Sequence, residues 1–243
     1  MSLRLRQVAL AARDLDASVE ELSKTLDIEV GFRDPGIATF GLRNALLPVG
    51  DTFLEVVSPV EDGTTAGRWL ERRGGDAGYM VIVQCDDVEA ARARAQGANV
   101  RVVWEASLEA DGAEPAATTI HLHPRDVGAA ILSLDTMRPA EDWRWAGPAW
   151  RDHVRTGRVR SLAGAILEAA DPEAMASRWS AVLGAPARAG ADGSFEIGLD
   201  DALLRFVPAG ARGEGLAGVL FSGAGESGPA LLGEVCGTRL ERV

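Results

Sequence analysis

Residues 7–22 read QVALAARDLDASVEEL, and residues 80–95 read MVIVQCDDVEAARARA. In both, an apolar run ends at an aspartate corner and a segment of helical period follows, which predicts a strand turning into an amphipathic helix. Asp14 and Asp87 are 73 residues apart. A third copy, LAGAILEAADPEAMASRW at residues 162–179, puts Asp171 at an offset of 157 from Asp14. Asp14 or Asp16, Asp86 or Asp87, and Asp171 are N-cap candidates, because a short carboxylate can accept from the free amides of a first helical turn; Pro172 suits the first helical position. Val19, Leu22 and Leu26 share one helix face, as do Met175, Trp179, Val182 and Leu183.

Short apolar runs separated by turn residues follow each helix. The first unit offers Ala38-Thr39-Phe40, 44–49 and 52–57; the second offers 100–104, 118–122 and 129–134; the third offers 194–198 and 202–207. The pattern is a repeated β-α-β-β-β unit, and the fold class is α+β. A fourth unit opens at Leu216–Ser222. It has room for a strand, a short helix near Pro229–Val235 and one closing strand, so the second pair of units reads as incomplete. Residues 1–137 form the first domain in this reading and 159–243 a degenerate, truncated second one. The Pro- and Trp-rich stretch 138–158 is the linker, its tryptophans 143, 145 and 150 packing against a domain surface.

The chain of 243 residues carries 25 Lys plus Arg against 36 Asp plus Glu, a formal charge of −11. Such a surface repels phosphate, which argues against nucleic-acid and anionic-membrane partners. With 47% hydrophobic residues the chain can bury a core. No run reaches the roughly 18 apolar residues of a membrane span, and residues 8–12 are too short for a signal peptide. Cys85 and Cys236, without CxxC spacing or a basic neighbour, read as reduced thiols of a cytoplasmic protein and as poor nucleophiles.

The order of elements resembles the vicinal oxygen chelate superfamily, which contains glyoxalase I, bleomycin-resistance proteins, extradiol dioxygenases and methylmalonyl-CoA epimerase. Residues 50–91, GDTFLEVVSPVEDGTTAGRWLERRGGDAGYMVIVQCDDVEAA, and 123–135, HPRDVGAAILSLD, are similar to the epimerase-type members. The resemblance implies paired modules forming curved sheets around a cleft, with a divalent metal held by inward side chains. Carried over position by position, the ligand places fall on Gln7, Glu55, Met80 and Ser133. Thioether and hydroxyl are poor donors for a hard or borderline ion, so two of the four are lost and no metal or other cofactor is expected. In the second pair the same positions fall on Gly164 and Arg205, and a guanidinium cannot ligate.

Glu55 is then a candidate general base, with Gln7 as an orienting or oxyanion-stabilising amide; the structural alternative is a hydrogen-bonded strand carboxylate. Met80 and Ser133 are candidate ligand contacts, Met80 also reading as core. His121 and His123 alternate on one strand and face the same side, either as cleft contacts or as an ordinary strand-end pair lacking a third ligand. Tyr79 points away from the Met80 face. Arg68, Arg72 and Arg73 follow the SPV loop, as an anion contact or a solvated helix face. GAGESG at 223–228 has the GxGxxG form but too little chain after it for a dinucleotide fold.

Three readings stay open: a metal-independent lyase or isomerase acting on a small oxygenated metabolite, a non-catalytic protein that binds or sequesters a small-molecule ligand in the manner of the bleomycin-resistance members, and a scaffold whose clefts are filled by side chains. The incomplete second pair leaves a sheet edge that a homodimer would cover.

Overall fold

Each of the three aspartate corners is built as a helix cap. Asp14 Oδ1 accepts from the amides of Asp16 and Ala17, both at 3.1 Å. Asp87 accepts from Ala90 N at 2.9 Å, and Asp171 from Ala174 N at 2.9 Å. The computed structural model describes residues 2–112, 114–223 and 228–243, so the core of the GAGESG motif lies outside the described residues. In chain order the elements are β1 (Leu3–Ala11), α1 (Leu15–Leu26), β2 (Leu42–Val49), β3 (Thr52–Pro59), α2 (Thr65–Arg73), β4 (Ala77–Cys85), α3 (Val88–Gly97), β5 (Val102–Leu108), β6 (Ala116–Leu122), α4 (Pro124–Val127) and β7 (Ile131–Arg138). There follow β8 (Val159–Ala169), α5 (Pro172–Leu183), β9 (Ala187–Ala189), β10 (Phe195–Gly198), β11 (Leu203–Pro208), β12 (Gly215–Gly223), β13 (Ala230–Val235) and β14 (Thr238–Arg242). Short 3-10 helices occupy Pro35–Phe40, Arg144–Ala146 and Trp150–His153.

The strands form two seven-stranded sheets, ordered β2-β3-β1-β4-β7-β6-β5 and β13-β14-β12-β8-β11-β10-β9. This is the α+β paired-module architecture expected from the repeats. By contacts the chain gathers into two compact units, one of Met1–Arg6, Met80–Arg144 and Gly164–Leu216, the other of Gln7–Tyr79, Trp145–Ala163 and Ala217–Val243. In the first, the Trp179 indole donates to Val127 O at 3.0 Å and meets Phe206 edge-on at 5.6 Å; Trp143 is fully buried with the Arg6 guanidinium 5.1 Å from its ring centre. In the second, α1 buries Leu15, Val19, Leu22 and Leu26, and Trp150 meets Phe53 edge-on at 5.0 Å.

Three local expectations are corrected. Ala38-Thr39-Phe40 is part of a 3-10 helix and not a strand: Asp34 caps it by accepting from Gly36 N at 2.7 Å, Pro35 starts it, and Gly41 ends it at φ 67°. The helix expected near Pro229–Val235 is strand β13. Cys236 and Gly237, at φ 51° and 57°, make a two-residue hairpin turn that pairs Val235 with Thr238, and ladder bonds with β14 override helical propensity. His123 does not share a strand with His121: β6 ends at Leu122, and His123 is the N-cap of α4, which Pro124 begins.

Candidate functional site

The repeat continues into the pairing registers. In the parallel β1–β3 pair Ala9 lies opposite Glu55, in β4–β7 Ile82 lies opposite Ser133, and in β8–β11 Ile166 lies opposite Arg205. In each, the residue two positions earlier on the first strand shares the same sheet face: Gln7, Met80 and Gly164. Three modules thus offer the same diagonal pair of side-chain positions, filled by Gln7 with Glu55, Met80 with Ser133, and Gly164 with Arg205.

Only the first of these three pairs joins a carboxylate to a carboxamide by a hydrogen bond. Gln7 Nε2 donates to Glu55 Oε2 at 2.8 Å. The hairpin turn at Gly50-Asp51 sets Val49 opposite Thr52, Leu46 opposite Glu55 and Asn44 opposite Val57, so Asn44 lies on the face of Glu55, and its Nδ2 donates to Glu55 Oε1 at 2.7 Å. Asn44 Oδ1 in turn accepts from Asp34 N at 2.9 Å, which fixes the amide the right way round for that donation. All three side chains are buried, Glu55 at 6% exposure. Burial pushes the Glu55 carboxyl up to about 7; the bonds from Asn44 and Gln7 pull against it and the negative charge of Asp34 adds to it. Asn44 escaped the sequence reading. The signal was there, since a two-residue turn between Val49 and Thr52 fixes the register and places Asn44 diagonally from Glu55.

Met80 and Ser133 belong to the other unit. Met80 is buried; Ser133 Oγ donates to Asp135 Oδ1 at 2.5 Å and lies 3.2 Å from Thr119 Oγ1. His121 stands across the strands from Ser133, with its ring 4.5 Å from that of Trp104, and burial pushes its pKa down to about 4, so it is neutral at ordinary pH. His123 accepts from Arg125 N at 3.0 Å as a helix cap. Among the described residues no group of three or more His, Cys, Asp and Glu side chains is placed to hold a metal ion. The four inherited ligand positions supply one carboxylate, and each of its oxygens already takes an amide N–H; with a thioether and a hydroxyl beside a carboxamide, that donor set does not suit a hard divalent ion.

The remaining candidates are placed structurally. Tyr79 is buried edge-on to Trp69 at 5.8 Å, and burial pushes its hydroxyl up to about 12. On α2, Arg68 bonds Thr65 Oγ1 and Gly63 O, and Arg72 lies over the Trp69 ring. Burial raises both cysteine thiols to about 11, which removes them as nucleophiles. A cavity of about 520 Å³ in the first-described unit, bordered by Arg4, Gln84 and Arg138, includes none of the predicted site residues.

A family model described as a glyoxalase-like domain matches residues 8–183. The ethylmalonyl-CoA/methylmalonyl-CoA epimerase of Cereibacter sphaeroides is 28% identical over 134 residues, covering 54% of this chain and 96% of that protein. Among solved structures, a hypothetical protein from Staphylococcus aureus superposes with a TM-score of 0.76 at 13% identity, over 100% of this chain and 99% of its own. A variant of Streptomyces coelicolor methylmalonyl-CoA epimerase in complex with 2-nitronate-propionyl-CoA gives a TM-score of 0.48 at 25% identity, over 58% of this chain and 98% of its own. No helix among the described residues is long and apolar enough to cross a membrane. Since the family match spans well over half of the chain, the protein belongs to the glyoxalase-like domain family of the vicinal oxygen chelate superfamily.

Proposed function

We propose that this protein is an isomerase or lyase that moves a proton on a small oxygenated metabolite, with Glu55 as the acid–base group. The observation that carries this reading is the Glu55 carboxyl itself, buried, aimed by one amide on each oxygen, and raised to about 7. At that value both protonation states are populated at neutral pH, which is where a group that must take and return a proton works best. Gln7 donates one amide N–H to Glu55 and so orients the base; Asn44 holds the other oxygen.

The substrate class that suits such a base is a carbonyl compound with an acidic adjacent C–H, and the likeness to ethylmalonyl-CoA/methylmalonyl-CoA epimerase favours an acyl thioester. Ionised Glu55 takes the proton from that carbon, and the C–H electron pair moves into an enolate. The carboxylic acid then returns the proton. Return to the other face, after the enolate turns over, inverts the carbon. No step is routed through a metal, because the inherited ligand positions do not suit one.

The second reading, a protein that binds such a ligand without turning it over, is favoured by one observation: both Glu55 oxygens are already bonded within the protein. Proton NMR in D₂O with methylmalonyl-CoA as the probe separates the two. Exchange of the C2 proton by the wild-type protein that is lost in Glu55→Gln supports the enzyme; binding without exchange in either supports the binder. A cytoplasmic location and a homodimer complete the reading, the latter checked by sedimentation.

A further inference from the structure

Glu55 stands on a sheet face, so other parts of the chain must lie over that face to leave it 6% exposed. The stretch that reads as a linker is one of them, for residues 145–163 gather into the same compact unit as 7–79. Its 3-10 helix, Trp150–His153, sets the Trp150 indole edge-on to Phe53 with ring centres 5.0 Å apart. Phe53 and Glu55, two apart on β3, share one face. Pro48 on β2 and Gln7 on β1 are the register partners of Phe53. Gly31 fills the gap between Pro48 and His153: an added Cβ there would meet Pro48 Cγ at 2.9 Å and His153 Cβ at 3.4 Å. Residues 150–153 therefore cross the sheet over the row of Pro48, Phe53 and Gln7, which adjoins the row of Leu46, Glu55 and Ala9. Two residues of a strand span about 7 Å, within reach of an indole.

The crossing is fastened along its length. Gly147 packs where a Cβ would meet the Phe32 ring at 2.5 Å. His153 Nδ1 lies 3.0 Å from Glu29 Oε1, and Arg155 Nε donates to Glu29 Oε2 at 2.7 Å. Leu162 N donates to Thr52 Oγ1 at 2.8 Å, at the hairpin turn that sets the register of Glu55. Trp150 is itself buried, with the Arg151 guanidinium 4.4 Å from its ring centre. The ionisable groups nearby are Asp34, whose charge acts on Glu55, Tyr79, on which the charge of Glu55 acts, and Arg151, His153 and Arg155 of the crossing segment, the last two turned to Glu29. Trp150 carries no charge, so it acts on the carboxyl by shutting out water.

We infer that Trp150 is a positioning residue for Glu55, the wall that keeps water from the Gln7 and Glu55 pair, supplied by the stretch between the repeats and not by the module that carries the carboxylate. Its bearing on a reaction rests on the reading of Glu55 as the acid–base group. The acidity of the site is then set from outside its own β-α-β-β-β unit, by a segment that has no counterpart in the repeat.

The test reads Glu55 in the full chain. Carboxyl-resolved ¹³C NMR between about pH 4.5 and 9 should show the Glu55 midpoint falling by about one pH unit or more in Trp150→Ala, as water reaches the carboxyl, and staying close to the wild-type value in Trp150→Phe, which keeps an apolar ring in place. An unchanged midpoint in folded Trp150→Ala overturns the inference. Should that variant not fold, the wild-type protein decides. The ring protons of Trp150, assigned against Trp150→Phe, should shift as Glu55 ionises, and in Glu55→Gln only the part owed to other groups such as His153 should remain. Ring protons that ignore Glu55 overturn the inference equally. Exchange of the C2 proton of methylmalonyl-CoA separates the wall from the catalytic reading. Exchange whose pH profile moves down with the midpoint in Trp150→Ala sustains both. A lowered midpoint in a protein that never exchanges the proton sustains the wall and sinks the acid–base reading; exchange with an unmoved midpoint overturns the wall alone; neither overturns both.

Discussion

Replacing Glu55 by Gln changes how folding stability depends on pH, and the size of the change follows from the site. The carboxyl has its ordinary value of 4.5 in the unfolded chain and about 7 in the folded protein. Protonation is therefore favoured by folding: the contribution of Glu55 is fullest below about 4.5, falls as the pH climbs, and is gone once the folded carboxyl has ionised near 7. The gap corresponds to about 3 kcal/mol. The replacement carboxamide is isosteric and does not titrate. Its oxygen can accept from Asn44, whose orientation Asp34 N fixes, and its NH₂ can donate to Gln7 once that side chain turns over, so a pH-independent offset of about 1 kcal/mol is the expected cost. Urea denaturation of both proteins between pH 4.5 and 8.5 gives the difference curve, in which the titrations common to both cancel. Wild-type stability should fall relative to the variant by about 3 kcal/mol between pH 4.5 and 8. Parallel curves, differing by less than about 1 kcal/mol in their pH dependence, would refute the claim that burial outweighs the two amide bonds at Glu55.

Asn44→Ala removes the donor to Glu55 Oε1 and the acceptor for Asp34 N; thermal or chemical denaturation should show a loss of about 1–3 kcal/mol, and carboxyl-resolved ¹³C NMR should show Glu55 titrating higher still. Gly50→Ala should fail to fold in a solubility and circular-dichroism screen, because φ is +64° and the new Cβ would lie 2.2 Å from the Arg160 carbonyl oxygen, a backbone atom that cannot swing aside. Asp171→Ala removes the α5 cap and should cost about 1 kcal/mol by denaturant titration, against almost nothing for the conservative Asp171→Asn.

The helical starts were legible because their cause is local: an aspartate, a first turn and an apolar stripe lie within a dozen residues of one another. The same locality explains the errors. Ala38-Thr39-Phe40 has strand-like composition, but Asp34, Pro35 and Gly41 outside it decide its conformation. Ala230–Val235 reads as helical until Cys236-Gly237 is recognised as a hairpin turn that hands the segment to β14. For the site, Gln7 and Glu55 were brought together by the ligand positions that the superfamily resemblance implies, whereas Asn44 depends on strand register, a non-local quantity. How far burial lifts Glu55 is further out of reach, since it depends on every side chain that keeps water from the carboxyl.

The recurrence of one register in β1–β3, β4–β7 and β8–β11 separates scaffold from chemistry. Each of these three pairs presents the same two-residue socket on one sheet face, and the backbone around it tolerates a carboxamide with a carboxylate, a thioether with a hydroxyl, or a glycine with a guanidinium. A chain built on such a repeat can exchange the side chains of its sockets without refolding, because the ladder hydrogen bonds that set the register belong to the backbone.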